Sequence, residues 1–166
     1  GNETEVVWTD TEATLDVDYD GAREKAAGKV WCEQYVMWSP DGQYLATFHQ
    51  QGVVLWGGSS YEKYRRFAHP SVQAIEFSPC GRFVVTYGPH KERAACVWHI
   101  SSTRCLRFFS KADMSVEGRG LCKLKWAPSG NLIAKIGADK RTNGGLLSIY
   151  VLPTMKLHLK SSVRAE

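Results

Sequence analysis

A pattern of apolar and polar positions occurs three times along this chain. Aligned without gaps, the copies are VMWSPDGQYLATF (36–48), IEFSPCGRFVVTY (75–87) and LKWAPSGNLIAKI (124–136). In each copy an apolar run ends in an aromatic residue, a short turn with Pro and Gly follows, and a second apolar run completes the copy. Pro fixes φ at the second turn position and Gly lets the bend close, so each copy predicts a β-hairpin. The aligned aromatic, proline and glycine positions are Trp38, Phe77 and Trp126; Pro40, Pro79 and Pro128; and Gly42, Gly81 and Gly130.

A third and a fourth strand follow each hairpin. The third is a short apolar run closed by an aromatic residue, at Trp56, Trp98 and Tyr150. The next segment has mixed polarity, which suits an outer edge strand. The first aromatic residues are 39 and then 49 residues apart, and we expect the extra length in loops at 88–93 and 137–145. Repeats of this length with four strands each are typical of propeller blades.

The predicted fold is therefore all-β, a WD40-like β-propeller with about three four-stranded blades of a larger ring. We expect blades at 35–70, 71–110 and 111–166, all within one propeller domain. Residues 1–34 are interpreted as an acidic leader that carries the remnant of a preceding blade, with a short helical turn at 20–30. Three blades alone would not close, because closed propellers typically use about four to eight.

The chemistry-bearing residues argue against an enzyme. The five His lack metal-binding spacing, and no G-x-S-x-G elbow is present. The five Cys are odd in number and form no C-x-x-C pair, so we expect them to be buried small hydrophobes in a reducing compartment. We therefore predict no catalytic residue, metal, cofactor or small-molecule substrate, and a structural role for His69.

No apolar run approaches the roughly 20 residues that span a bilayer, so we predict no membrane contact and a cytoplasmic location.

Charge is distributed unevenly along the chain. The net charge is +4, but residues 1–59 hold 3 Lys and Arg against 10 Asp and Glu, while residues 60–166 hold 18 against 7. Lys and Arg bind backbone phosphates without reading base sequence, so the basic part could contact RNA. A dispersed, solvated surface explains the same charges equally well. The candidate RNA contacts are Arg104, Arg107, Lys111, Arg119, Lys140 and Arg141.

Two runs carry a family resemblance beyond the generic repeat. YVMWSPDGQYLATFHQQGVVLWGG (35–58) and RFAHPSVQAIEFSPCGRFVVTYGP (66–89), with LSIY (147–150) and PTMKL (153–157) further on, closely resemble the B subunit of eukaryotic translation initiation factor 3. The resemblance implies a nine-bladed propeller, of which this chain would be about the first third. It also implies a non-catalytic scaffold that binds other subunits of the factor (A, I and G) and the small ribosomal subunit, including its rRNA, during assembly of the pre-initiation complex.

One feature departs from common WD40 repeats. The residues after the third-strand aromatics are Gly57, His99 and Val151, so no blade has the Trp-Asp pair. We therefore expect the usual buried hydrogen-bond network to be absent and strand packing to hold the blades. On this basis Trp38 should be buried, and Trp38→Ala should cost about 3–5 kcal/mol.

Three alternatives stay open at this stage. The propeller translation factor 2A shares turns of the SP-x-G kind, and a general WD40 protein-interaction adaptor would have the same blades. A propeller enzyme would need polar or metal-binding side chains that converge at a central mouth.

Overall fold

The computed structural model describes residues 36–116 and 120–163. The leader, blade remnant and helical turn expected before residue 35 lie outside the described residues. The chain divides into two compact units, residues 1–72 and 73–166, and each is described by itself. The described residues form three four-stranded antiparallel sheets and one two-stranded ribbon. The expected all-β fold, with blades of a WD40-like propeller, is confirmed.

Sheet one lies in the first unit. Its strands are β1 (Val36–Trp38), β2 (Tyr44–His49), β3 (Gly52–Gly57) and β4 (Lys63–Ala68), in the order β1-β2-β3-β4. Every residue of β3 is buried, as expected for an inner strand apolar on both pleat faces. Val54 and Trp56 form a small core with the partly buried Leu45, Tyr61 and Tyr64.

Sheet two and the segment after it begin the second unit. Strands β5 (Ala74–Phe77), β6 (Phe83–Tyr87), β7 (Ala95–His99) and β8 (Cys105–Phe109) follow one another across the sheet. A short helix, α1 (Lys111–Met114), comes next, and its first turn is closed by a capping box between Ser110 and Asp113. The ribbon of β9 (Ser115–Val116) and β10 (Gly120–Leu121) comes after the helix. The hairpin repeat predicted neither α1 nor the ribbon.

Sheet three completes the second unit. Its strands are β11 (Lys125–Trp126), β12 (Leu132–Asp139), β13 (Gly144–Val151) and β14 (Lys156–Val163), again in chain order. The prediction of a loop at 137–145 is wrong, because Gly137 pairs with Leu146 and Asp139 pairs with Gly144 in the sheet. The extra residues lengthen the two strands, and the turn itself covers only 140–143. The division of the chain into blades at 35–70, 71–110 and 111–166 stays a prediction.

The three predicted hairpin turns have the same geometry. The N–H of Gly42, Gly81 and Gly130 donates to the carbonyl of Ser39, Ser78 and Ala127, at 2.9, 3.0 and 2.8 Å. The three glycines have φ of +69°, +71° and +73°, a conformation that favours Gly over residues with a side chain. In the first two turns a buried serine hydroxyl accepts the N–H that opens the second strand, at 2.9 Å for Ser39 and 3.0 Å for Ser78.

Sheets two and three share one hydrophobic core. Phe83 and Phe109 of sheet two pack in the same cluster as Ile133 and Tyr150 of sheet three. Trp126 stacks on Phe83, with ring centroids 6.1 Å apart and an interplanar angle of 16°. Two sheets that bury a common face in this way are packed as neighbouring blades.

A partial hydrogen-bond network is present, contrary to the expectation that it would be absent. The indole Nε1 of Trp56 donates to Thr47 Oγ1 at 2.9 Å, and Thr47 Oγ1 lies 2.9 Å from His49 Nε2. In sheet two Trp98 Nε1 donates to Thr86 Oγ1 at 2.8 Å. All of these side chains except Trp98 are at most 2% exposed, and Trp98 is 5% exposed. The blades lack the aspartate of a Trp-Asp pair. The hydrogen bond from tryptophan to threonine does not need that aspartate, because the two residues meet across adjacent strands.

The aligned aromatic residues differ in burial, and the placement of Trp38 in the core is wrong. Phe77 is 8% exposed, but Trp38 is 53% exposed. Trp38 ends the three-residue edge strand β1, where its ring meets Tyr61 edge-on at 5.3 Å. The same column of the repeat therefore holds side chains with different structural roles.

The cysteines also depart from the expected burial. Cys96 is buried, Cys105 and Cys122 are half-buried, and Cys80 is exposed. His69, for which a structural role is predicted, is 1% exposed. No helix within residues 36–116 and 120–163 combines the length and hydropathy that a membrane span requires.

Candidate nucleic-acid interface

Arg107 lies at the centre of the basic surface in the second unit. It is exposed on β8, and its Cζ lies 4.7 Å from the ring centroid of Tyr150 and 5.2 Å from that of Phe109. The two rings are themselves 5.5 Å apart and at most 5% exposed. Cation–π contact with buried rings fixes the position of the guanidinium while its N–H groups stay accessible.

Lys135 approaches the same aromatic pair from sheet three. Its Nζ lies 5.5 Å from the Phe109 centroid and donates to the backbone carbonyl of Asp113 at 2.8 Å. The side chain is only 8% exposed. Burial lowers the pKa of Lys135, and the nearby charges of Arg107 and Lys160 lower it further, whereas Asp113 raises it. The ammonium group is therefore held among other cations with one carboxylate for compensation.

Lys160 adds a third cation on the same face. Lys135 and Lys160 both pair with Ser148, from β12 and β14 on either side of β13. Residues paired directly across a sheet share a face, and two strand spacings separate them by roughly 10 Å. We define Arg107, Lys135 and Lys160 as the basic cluster.

Asp113 is the carboxylate that faces the basic cluster. Burial alone would raise its pKa, but hydrogen bonds from Ser110 and the charges of Lys135 and Arg107 hold the pKa below its usual value. The carboxylate accepts the backbone N–H of Ser110 at 3.1 Å and so closes α1. It therefore compensates part of the charge of the cluster.

The other predicted contact residues lie around this cluster or in other elements. Lys111 begins α1, and its backbone N–H donates to the carbonyl of Lys91 at 2.7 Å. Arg104 is exposed just before β8. Lys140 and Arg141 are exposed in the turn between β12 and β13, where the N–H of Arg141 donates to Asp139 Oδ1 at 3.0 Å. Arg119 lies outside the described residues.

Sequence reasoning missed Lys135 and Lys160, although the repeat carried a signal for one of them. Lys135 aligns with Thr47 and Thr86, the threonines that accept a tryptophan N–H in the first two sheets. In sheet three Tyr150 takes the place of the tryptophan, and the space beside it holds a lysine stem. A lysine in a column of buried threonines marks a position where the third blade differs in chemistry.

The cluster can bind anions electrostatically. The buried cation Lys135 interacts with the exposed cations Arg107 and Lys160, and Asp113 offsets only part of this charge, an arrangement suited to the phosphates of a nucleic-acid backbone. Within the described ranges no three His, Cys, Asp or Glu side chains lie close enough together to hold a metal ion.

Three curated proteins that are similar to this chain carry the same name. The chain is 37% identical to the B subunit of eukaryotic translation initiation factor 3 from Xenopus laevis over 172 residues, covering 99% of this chain and 22% of the relative. It is 30% identical to the same subunit from Mycosarcoma maydis, covering 100% of this chain and 24% of the relative. The corresponding subunit from Culex quinquefasciatus is 35% identical and covers 81% of this chain.

Family models and solved structures do not identify the chain any further. No family model matches the chain. A solved structure described as the crystal structure of the eukaryotic initiation factor overlaps 78% of this chain and 44% of its own, with 13% identity and a TM-score of 0.49. That level of similarity does not by itself assign a fold.

The chain spans less than a quarter of the length of these curated relatives, at 22% and 24% for the first two. Its own length is matched almost completely, and the relatives share one name. The resemblance found in the sequence is thereby confirmed: this is a partial chain similar to the B subunit of eukaryotic translation initiation factor 3.

Proposed function

We propose that this chain is part of a non-catalytic scaffold subunit of translation initiation factor 3, acting in the cytoplasm during assembly of the pre-initiation complex. The observation that carries the proposal is the similarity along 99% of the chain to a relative named as the B subunit of that factor. Its partners are the A, I and G subunits of the factor and the small ribosomal subunit. Rigid sheets set the geometry of such a scaffold, and loops and exposed faces carry recognition.

The blades would belong to a larger ring of about nine. Support comes from apolar side chains that remain exposed on sheet three, among them Leu159 on β14 at 43%, which pairs with Ile149 and so lies on the face opposite to Tyr150 and the core shared with sheet two. Ile136 on β12 is 38% exposed and lies on the same face of the sheet as Leu159. A further blade that packed on this sheet would remove that area from water, with a gain of about 25 cal/mol per Å².

The basic cluster would contact ribosomal RNA through its phosphates. Arg107 and Lys160 are exposed cations, and Lys135 adds charge from beneath them. Contacts of this kind do not select base sequence, which suits a scaffold on folded RNA. Arg104, Lys111, Arg119, Lys140 and Arg141 stay candidates for the same surface.

Reversing two charges of the cluster tests the RNA contact. We expect Arg107→Glu combined with Lys160→Glu to weaken co-sedimentation of the intact protein with purified small ribosomal subunits by ~10-fold or more. Each phosphate contact contributes roughly 0.7–0.9 to the slope of log K against log salt, so the slope should fall by about 1.5. Binding is measured over a series of KCl concentrations.

The matched control reverses two exposed charges elsewhere, Arg65→Glu with Lys156→Glu. Lys156 begins the same strand as Lys160, and Arg65 lies on β4. Each double variant replaces one Arg and one Lys with Glu, so the change in net charge is equal. Equal retention of the two double variants at every salt concentration would remove the basic cluster from the RNA contact.

A further inference from the structure

Two cysteines of sheet two lie on one face of adjacent strands. Cys96, on β7, is 0% exposed, and Cys105, at the start of β8, is half-buried. Trp98 pairs with Cys105, and a register shift follows between Val97 and Trp98. Alternate residues of a strand share a face, so Cys96, Trp98 and Cys105 lie on the same side of the sheet. This register makes Cys96 and Cys105 diagonal neighbours on adjacent strands, and each thiol shifts the pKa of the other.

An arginine lies beside the more accessible sulfur. Arg93 Nη2 donates to Cys105 Sγ at 3.9 Å, and its guanidinium lies over the ring of Phe108 at 5.0 Å. Cys105 Sγ also lies 3.6 Å from the carbonyl oxygen of Arg107, which accepts the proton of the neutral thiol. A neighbouring cation and a donor thiol both stabilise a thiolate, the nucleophilic form of cysteine.

The two thiols differ in acidity. The hydrogen bond from Cys96, assisted by Arg93 and opposed by burial, lowers the pKa of Cys105 to about 7. The same hydrogen bond, together with burial, raises the pKa of Cys96. A partly exposed nucleophile is thus paired with a fully buried thiol that keeps its proton.

We propose that Cys105 is a peroxide-reactive thiol and that Cys96 is its resolving partner, so that oxidation links β7 to β8 by a disulfide. The Cys105 thiolate attacks one oxygen of hydrogen peroxide, the O–O bond breaks, and the leaving hydroxide takes up a proton to give water and a sulfenic acid. Cys96 sulfur then attacks the sulfenic sulfur, and the S–O bond breaks. The hydroxyl group leaves with the Cys96 proton as a second water, so the dithiol loses two electrons and the peroxide is reduced.

The chain supplies internal comparisons. Cys80 is exposed, with Ser78 Oγ at 3.3 Å and the Gly130 carbonyl at 3.7 Å from its sulfur. It can form a sulfenic acid, but the contacts of its sulfur are oxygen atoms rather than a second sulfur. Cys122 is half-buried like Cys105 and serves as the reference for the rate of oxidation.

The test is oxidation of the intact protein by hydrogen peroxide at neutral pH, with and without dimedone, followed by trypsin and mass spectrometry. Cleavage after Arg93, Arg104 and Arg107 separates the two cysteines into peptides 94–104 and 105–107. We expect a disulfide between these peptides, and loss of the Cys105 thiol roughly tenfold faster than that of Cys122. With Cys96→Ala, dimedone should label Cys105 and the cross-linked peptide should disappear.

Arg93 provides a second test through its charge. Arg93→Gln should slow oxidation of Cys105 several-fold, while Arg93→Lys should retain most of the rate because it keeps the cation. Oxidation of Cys105 no faster than that of Cys122 would overturn the proposal. So would accumulation of a Cys105 sulfenic acid in the unaltered protein without a link to Cys96. None of these outcomes depends on the proposed role in translation.

Discussion

Trp56→Ala is expected to lower the free energy of unfolding of the first unit by about 3–5 kcal/mol, the range for truncating a buried tryptophan. Trp56 is 1% exposed and donates its indole N–H to Thr47. Trp38→Ala, at a side chain that is 53% exposed, should cost only about 1 kcal/mol. Urea unfolding followed by circular dichroism measures both variants without relying on tryptophan fluorescence.

The control separates packing from hydrogen bonding. Trp56→Phe keeps most of the buried ring and removes the donor to Thr47, so it should cost less than Trp56→Ala by roughly 2 kcal/mol. If Trp38→Ala destabilised the protein as much as Trp56→Ala, the exposed position of Trp38 in the edge strand would be incorrect.

Gly130→Ala is expected to destabilise the second unit by about 2–4 kcal/mol. A Cβ on Gly130 would lie 2.5 Å from Cys80 Sγ and 2.7 Å from Cys80 Cβ, closer than van der Waals contact allows. The turns of sheets two and three meet here, since Arg82 Nη2 also donates to Asn131 Oδ1 at 3.0 Å. Left-handed strain contributes about 1 kcal/mol, and overpacking against Cys80 adds the remainder.

Gly42→Ala is the matched control for this prediction. Gly42 occupies the same turn position with φ of +69°, against +73° for Gly130, but a Cβ on Gly42 would meet no atom within 4 Å. It should therefore show only the strain of about 1 kcal/mol. Cys80→Gly should restore part of the stability lost in Gly130→Ala. Equal melting temperatures for Gly42→Ala and Gly130→Ala would refute the close approach of the two turns.

The repeat predicted the hairpins because their information is local. Pro and Gly at fixed offsets specify the turn wherever it occurs, and the structure has the same hydrogen bond at Gly42, Gly81 and Gly130. Burial is not local in this sense. Trp38 and Phe77 occupy one column of the repeat but are 53% and 8% exposed, because burial depends on what packs against each strand.

The candidate site was only partly predictable for a related reason. A basic side chain such as Arg107 is visible in the sequence, but its stacking on Phe109 and Tyr150 joins residues of two different sheets. Lys135 could have been noticed because it replaces a threonine of the repeat. Its contact with the Asp113 carbonyl depends on α1, a helix of four residues too short for a periodic signal.

The cysteines show how a general tendency fails at individual positions. Free cysteine is usually buried, and Cys96 fits that expectation. Cys105 differs because it pairs with Trp98 at the register shift in β7 and β8, and because Arg93 donates to its sulfur. Sequence spacing alone cannot show a pairing that is set by strand register.

The most direct test of the proposed function is affinity purification of the intact tagged protein from cytoplasmic extract, with quantitative mass spectrometry of what is recovered. We predict that the A, I and G subunits of translation initiation factor 3 are recovered at near-equal amounts with the tagged protein, together with small-subunit ribosomal proteins at low salt. Recovery of the tagged protein without any other component of the factor would contradict the account.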